Sequence, residues 1–236
     1  MELDRIYRVR AGQTLYVSNS EGQVTAKRLN RAADAALYQR EDTLYAAFVP
    51  QTLPPADADP HTLDQADSAL VMFVSYNLKQ QNAEEISPWF YYQMTSFDID
   101  LFTTPFKYRF STAGMPGSLS TSANIGVYTG IRYDLGRYRN LYFRGQQRSD
   151  MESFSFGMGT IASISSVPIN EYTTSGLVPY EYDALGLNYG LAGIVGYKNV
   201  TTGLALGFEN LADRNNKHWI YRQKPWLGIF VGININ

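Results

Sequence analysis

The chain is 236 residues long, sets 20 Lys+Arg against 22 Asp+Glu for a net charge of -2, and contains no cysteine. That length can bury a core unaided, and the missing thiols exclude disulfides, thiolate zinc sites and thiol catalysis. The near-neutral balance excludes the electrostatic footprint of a nucleic-acid binder, and 18% charged beside 14% aromatic residues implies an apolar, tyrosine-rich surface.

No apolar run approaches the roughly 20 residues of a membrane helix, and the mean hydropathy is -0.26, so helical spanning is excluded. Strands remain open, because a spanning strand needs only about 9 to 11 residues and only alternate ones face lipid. The opening MELDRIYRVR carries Glu2, Asp4, Arg5, Arg8 and Arg10 and no apolar stretch, unlike a secretory signal. The expectation is then either a cytoplasmic protein or a mature chain whose leader has been removed, the second going with an outer-membrane location.

Arg5 to Val9 and Thr14 to Val17 read as short strands separated by an Ala11-Gly12 turn, with further turns at Ser18-Asn19 and Glu21-Gly22. From Leu29 to Arg40, Leu29, Ala32, Ala33, Ala36 and Leu37 recur at helical spacing and predict a short amphipathic helix. Thr43 to Val49 reads as a strand. The Pro/Asp-rich run QTLPPADADPHTLDQAD reads as a linker, which sets a small β-rich N-terminal extension, residues 1–66, apart from residues 67–236.

Strand follows strand after Ser68. Phe97, Ile99, Leu101 and Thr103 alternate with Asp98, Asp100, Phe102 and Thr104. Asn124 to Leu135 sets Ile125, Val127, Thr129 and Ile131 against Asn124, Gly126, Tyr128 and Arg132, and Ser153 to Ile164 repeats the scheme. Near the end Leu227, Ile229, Val231, Ile233 and Ile235 share one wholly aliphatic face, opposite Gly228, Phe230, Gly232 and Asn234. The second face holds Gly, Ser, Tyr and a few charges, where a soluble sandwich would expose Lys, Glu and Thr. Turn chemistry at Gly114-Met115-Pro116-Gly117, Arg144-Gly145, Asn199 to Gly203 and Asp213 to Asn216, with a longer loop over residues 167–186, spaces the strands as hairpins. The expectation is an all-β, antiparallel, up-and-down closed barrel of about eight strands, ten being the upper count.

The stretches FDIDLFTTPFKYRF and LGFENLADRNNKHWIYRQKPWLGIFVGININ resemble outer-membrane β-barrel proteins of the Bacteroidota, a resemblance of segment style over about residues 88–236. It implies an outer-membrane barrel whose role is unassigned. Such barrels finish on an aromatic residue, whereas Ile235-Asn236 stands here, which leaves Phe230 as the candidate for that part.

Several groups are candidates for function. Asp98, Asp100, Arg132 and Asp134 form a potential polar cluster in the lumen, either paired across strands or arranged as a carboxylate dyad or ligand site. Leu227, Ile229, Val231, Ile233 and Ile235 are expected to face lipid, and Trp89, Tyr91, Trp219 and Trp226 to sit at the membrane interface. Tyr133, Tyr138, Tyr142 and Phe143, interleaved with Arg132, Arg137, Arg139 and Arg144, could meet lipid headgroups or lipopolysaccharide phosphates, or stack on one another. With only His61 and His218, a histidine metal site is excluded; His61 reads as solvated, and His218 lacks a marked nucleophile. Neither a cofactor nor a catalytic residue is expected. The leading expectation is a non-enzymatic outer-membrane barrel, anchoring or surface-interacting, with its lumen filled by side chains and membrane lipid as partner. The alternatives are a soluble lipocalin-like barrel around an apolar ligand and an outer-membrane lipid hydrolase or acyltransferase.

Overall fold

The computed structural model describes residues 5–41, 43–56, 59–74, 84–143, 146–197 and 200–234. Among these the strands pair antiparallel, and regular structure other than strands is limited to short 3-10 turns. The chain forms two compact units: Met1–Met94 with Asp134–Ser153, and Thr95–Tyr133 with Phe154–Asn236.

In the first unit β1 (Ile6–Val9), β2 (Thr14–Ser18), β3 (Val24–Arg28), β4 (Ala33–Arg40), β5 (Thr43–Phe48) and β6 (Val71–Phe73) lie in the order β3-β2-β6-β5-β4-β1. β7 (Glu84–Ile86) pairs with Leu141 to Phe143, and β1 pairs with Tyr92 and Gln93 at the start of β8 (Phe90–Arg109). The expected helix over Leu29 to Arg40 is not formed. Most of that run is β4, which turns Ala33, Ala35 and Leu37 inward and pairs with β1 on one side and β5 on the other. An alanine-rich run satisfies both a period of 2 and one of 3.6, and two strand partners outweigh its weak helical preference. The Pro/Asp-rich stretch lies within this unit too: Leu53 and Leu63 are buried in its core, and Lys27 Nζ reaches Asp67 Oδ1 at 2.7 Å.

The second unit takes up β8 from Thr95 onward, β9 (Ser118–Ser120), β10 (Asn124–Phe143), β11 (Gln146–Ile169), β12 (Tyr182–Tyr197), β13 (Val200–Leu211) and β14 (Pro225–Asn234). Pairing runs β8-β14-β13-β12-β11-β10 and returns from β10 to β8, so six strands form a ring, and β10 to β14 follow one another up and down. The count falls below about eight for two reasons. Pro105 reads as a break in sequence, yet Thr104 and Pro105 together face the single residue Phe230, a bulge that absorbs the missing N–H and lets β8 run on. Of the strand expected from Ser68 to Lys79, Val71–Phe73 forms β6 and belongs to the first unit, while residues 75–79 lie outside the described residues.

Alternation sorts this unit sharply. Phe102, Tyr128, Trp226 and Phe230 are buried in one inward cluster, with Phe102 stacked on Phe230 at 4.6 Å between ring centroids and Tyr128 edge-on to Phe230 at 5.7 Å. Inward glycines make the room: a Cβ on Gly207 would lie 2.5 Å from Cζ2 of Trp226. One end is covered by the loops around Val178 and Trp219, which pack with Val167, Ile169, Leu211 and Tyr221.

Candidate membrane interface and buried charge clusters

Large apolar side chains cover the outer face of the six ring strands. Leu101 on β8, Ile131 on β10, Met158 on β11, Leu191 on β12, Leu204 on β13 and Ile229 on β14 are all exposed, Met158 to 72% and Ile131 to 65%. On β11 the belt runs from Phe154 to Ile164, about 33 Å of strand at ~3.3 Å per residue and about 25 Å of height at a tilt near 40°. That height matches a bilayer's hydrocarbon. Leu227, Ile229 and Val231 lie in this belt; the side chain of Ile233 and the whole of Ile235 fall outside the described residues. Between β10, β11 and β12 the small Ala123 and Ser166 leave a notch of about 440 Å³, walled by Ile125, Ile164, Leu185 and Asp183.

The inward face is polar wherever it is not aromatic. Asp98 and Asp100 on β8 and Arg132 on β10 are buried together, with Arg132 Nη1 3.6 Å from Asp98 Oδ2. Asp134, the fourth member expected of this group, is half-buried and belongs to the first unit.

A second cluster escaped the sequence reading. Glu209 on β13 accepts hydrogen bonds from Lys107 Nζ at 2.7 Å, Ser165 Oγ at 2.8 Å, and Arg109 Nε and Nη2 at 3.1 and 2.8 Å. Lys107 also donates to Asn188 Oδ1 at 2.8 Å, and Asn188 Nδ2 donates to Ser165 Oγ at 3.0 Å. Lys107 lies 5.0 Å from the Trp226 ring centre, and Arg109 5.6 Å from that of Tyr221. The network therefore ties β8, β11, β12, β13 and β14 across the interior. Its signal in sequence was weak but present: continuing the alternation puts Lys107, Arg109 and Glu209 on the inner face, where each charge requires a partner.

The tryptophans are a correction. Trp226 and Trp219 are 1% and 3% exposed, so both indoles face the interior and neither forms an outward girdle. For Trp226 the parity was readable, since it shares the face of Gly228 and Phe230. Trp219 sits in the covering loop. Tyr91 is 37% exposed, and Trp89 is half-buried in the first unit, where Arg137 and Arg139 stack on its ring at 4.1 and 4.2 Å. Those two arginines pair with Glu152 and Asp150, so they meet carboxylates and an indole.

The covering loop is fastened by Asp213. Its Oδ1 accepts the Asn215 N–H and its Oδ2 the Tyr182 hydroxyl, both at 2.6 Å, and it caps the turn Arg214–Lys217. These bonds, the backbone one first, hold its carboxyl below the ordinary carboxylate range. A depressed acid stabilises the fold fully above its unfolded pKa of about 4 and loses that contribution as pH falls through the folded value. Amide exchange at Asn215 is expected to quicken below about pH 4 in the native chain and to lose this pH dependence in Asp213→Asn. Equal protection of the native amide at pH 3 and pH 7, after correction for intrinsic exchange, would refute the loop-fastening role.

His218 ends the same turn through its backbone N–H, bonded to Asn215 O at 2.9 Å, and His61 is exposed. Among the described residues no set of three His, Asp or Glu side chains is placed to hold a metal ion. No known family model matches the chain, and no curated protein or solved structure matches it either, so the functional reading rests on this inverted geometry, apolar outside and charged within.

Proposed function

We propose that the second unit is a membrane-spanning β-barrel of the outer-membrane type, closed by the return pairing of β10 with β8, and that it anchors the chain in the membrane without catalysing a reaction. The carrying observation is the apolar belt. A soluble monomer seldom exposes a contiguous apolar patch beyond a few hundred Å², whereas here all six ring strands expose apolar side chains. A lumen packed with Phe102, Tyr128, Trp226, Phe230 and two charged clusters supports a plugged barrel over an open pore. The same facing disfavours a lipocalin-like container, which needs its apolar side chains inside. Membrane lipid is the partner in this reading, with lipopolysaccharide as a further candidate.

The purified protein is expected to stay monodisperse only in detergent, and to migrate faster on a gel unheated than boiled, because a closed ring of hydrogen-bonded strands resists dodecyl sulfate until heated. A monodisperse monomer free of detergent would overturn the membrane reading and favour the soluble container.

A further inference from the structure

We propose that the notch between β10, β11 and β12 is a selective site for a membrane lipid whose headgroup carries a primary ammonium, an ethanolamine phospholipid; the proposal rests on the membrane reading above. Strand register fixes its geometry. The Ser166 N–H donates to Ala123 O at 3.1 Å, and Ser166 stands opposite Leu185 on β12, so these three side chains form one row across the outer face. The next row into the belt holds the exposed Ile125 and Ile164, and the next toward the covered end pairs Pro168 with Asp183. The small Ala123 and Ser166 thus leave about 440 Å³ that is apolar on the belt side and bounded by a carboxylate on the other. An apolar pocket with a few convergent polar groups is the usual form of a ligand site.

In a bilayer this space is filled by lipid tails, because side chains that line a void lose their dispersion contacts. Tails are common to all the lipids, so the headgroup carries the selection. Asp183 sets it. Its side chain is exposed, and among the described residues no hydrogen bond or ion pair engages the carboxylate. On the outer face of β12 it is the first charge met beyond the belt residues Leu187 and Leu185, which places it at headgroup depth in the membrane reading. Ser166 and Asp183 are diagonal neighbours across two strands, about 7 Å apart, and one ammonium donating bonds of about 2.8 Å to the carboxylate and to the hydroxyl oxygen spans that gap. Asp183 is the one charged residue in the lining. An anionic glycerol headgroup is repelled there, and a choline headgroup brings a positive charge with no N–H to donate.

The test uses the full chain in detergent micelles, supplied in turn with ethanolamine, choline and glycerol phospholipids of identical acyl chains, and counts retained lipids by native mass spectrometry. One ethanolamine lipid is expected to be retained at concentrations on the order of tenfold below those needed for the choline lipid, as for one charge-assisted hydrogen-bonded contact. Asp183→Asn should remove the preference. Ser166→Leu, which fills the notch, should remove the retained lipid itself. Both positions face outward, and the gel shift on heating checks that each variant folds. Equal retention of the three lipids by the native protein would overturn the proposal, as would a preference that survives Asp183→Asn or a lipid count unchanged in Ser166→Leu. Should Asp183→Asn fail to fold, the native comparison and Ser166→Leu decide. A protein monodisperse without detergent removes the membrane reading and leaves the site to a separate measurement, calorimetry with dihexanoyl ethanolamine and choline phospholipids as monomers in plain buffer. Tighter binding of the ethanolamine lipid there supports the site, and equal binding overturns it.

Discussion

Glu209→Leu is expected to destabilise the second unit by about 3 to 5 kcal/mol, the usual result of removing one partner from a buried ion pair. Glu209 is 1% exposed and accepts from Lys107, Arg109 and Ser165 at once, so its loss strands two cations without a carboxylate, leaving Lys107 the Asn188 amide oxygen and the Trp226 ring and Arg109 the Trp219 and Tyr221 rings. Urea unfolding of the protein in lipid vesicles measures the change. Removing the whole charge set, as Lys107→Met with Arg109→Leu and Glu209→Leu, should recover most of the loss, because unpaired charge and not missing attraction carries the cost. A change below about 1 kcal/mol in Glu209→Leu would mean that water reaches the cluster and screens it.

Val231→Arg is the second large effect. Val231 lies in the exposed belt, paired with Thr202 on β13 and Thr103 on β8, so in the proposed membrane barrel arginine there is expected to impair insertion and to cost up to about 2 to 4 kcal/mol, the more the deeper it lies. Val231→Leu should be nearly silent. Arginine at the neighbouring Gly232 acts differently, by crowding, since even a Cβ there would lie 2.9 Å from the Phe230 ring. A lipid-phase quencher should reach a probe at position 231 and spare one at position 230. Quenching that favours 230 would mean the strand faces lipid with its other side.

The facing of the strands was legible because side-chain direction in a strand has a period of two. Leu227, Ile229 and Val231 needed nothing beyond that rule, nor did the burial of Asp98, Asp100 and Arg132. The same rule carried one residue further back would have turned Trp226 inward; its aromatic character suggested a girdle instead. Strand number was less legible. Pro105 is a break by local chemistry, and only the opposing Phe230 shows that a bulge carries β8 through it.

Composition and alternation by themselves determined an all-β, antiparallel chain with an aliphatic face and a polar one, since both follow from local periodicity and from the thinness of charge. Tertiary structure alone decided the rest. Whether Ala33 to Arg40 becomes helix or strand depends on β1 and β5 lying alongside it, and both answers satisfy its own pattern. Lys107 meets Glu209 across 102 positions of sequence because strands distant in the chain become neighbours around the ring. Periodicity says which face a charge occupies. Only the order and register of the strands can say which charge it meets there.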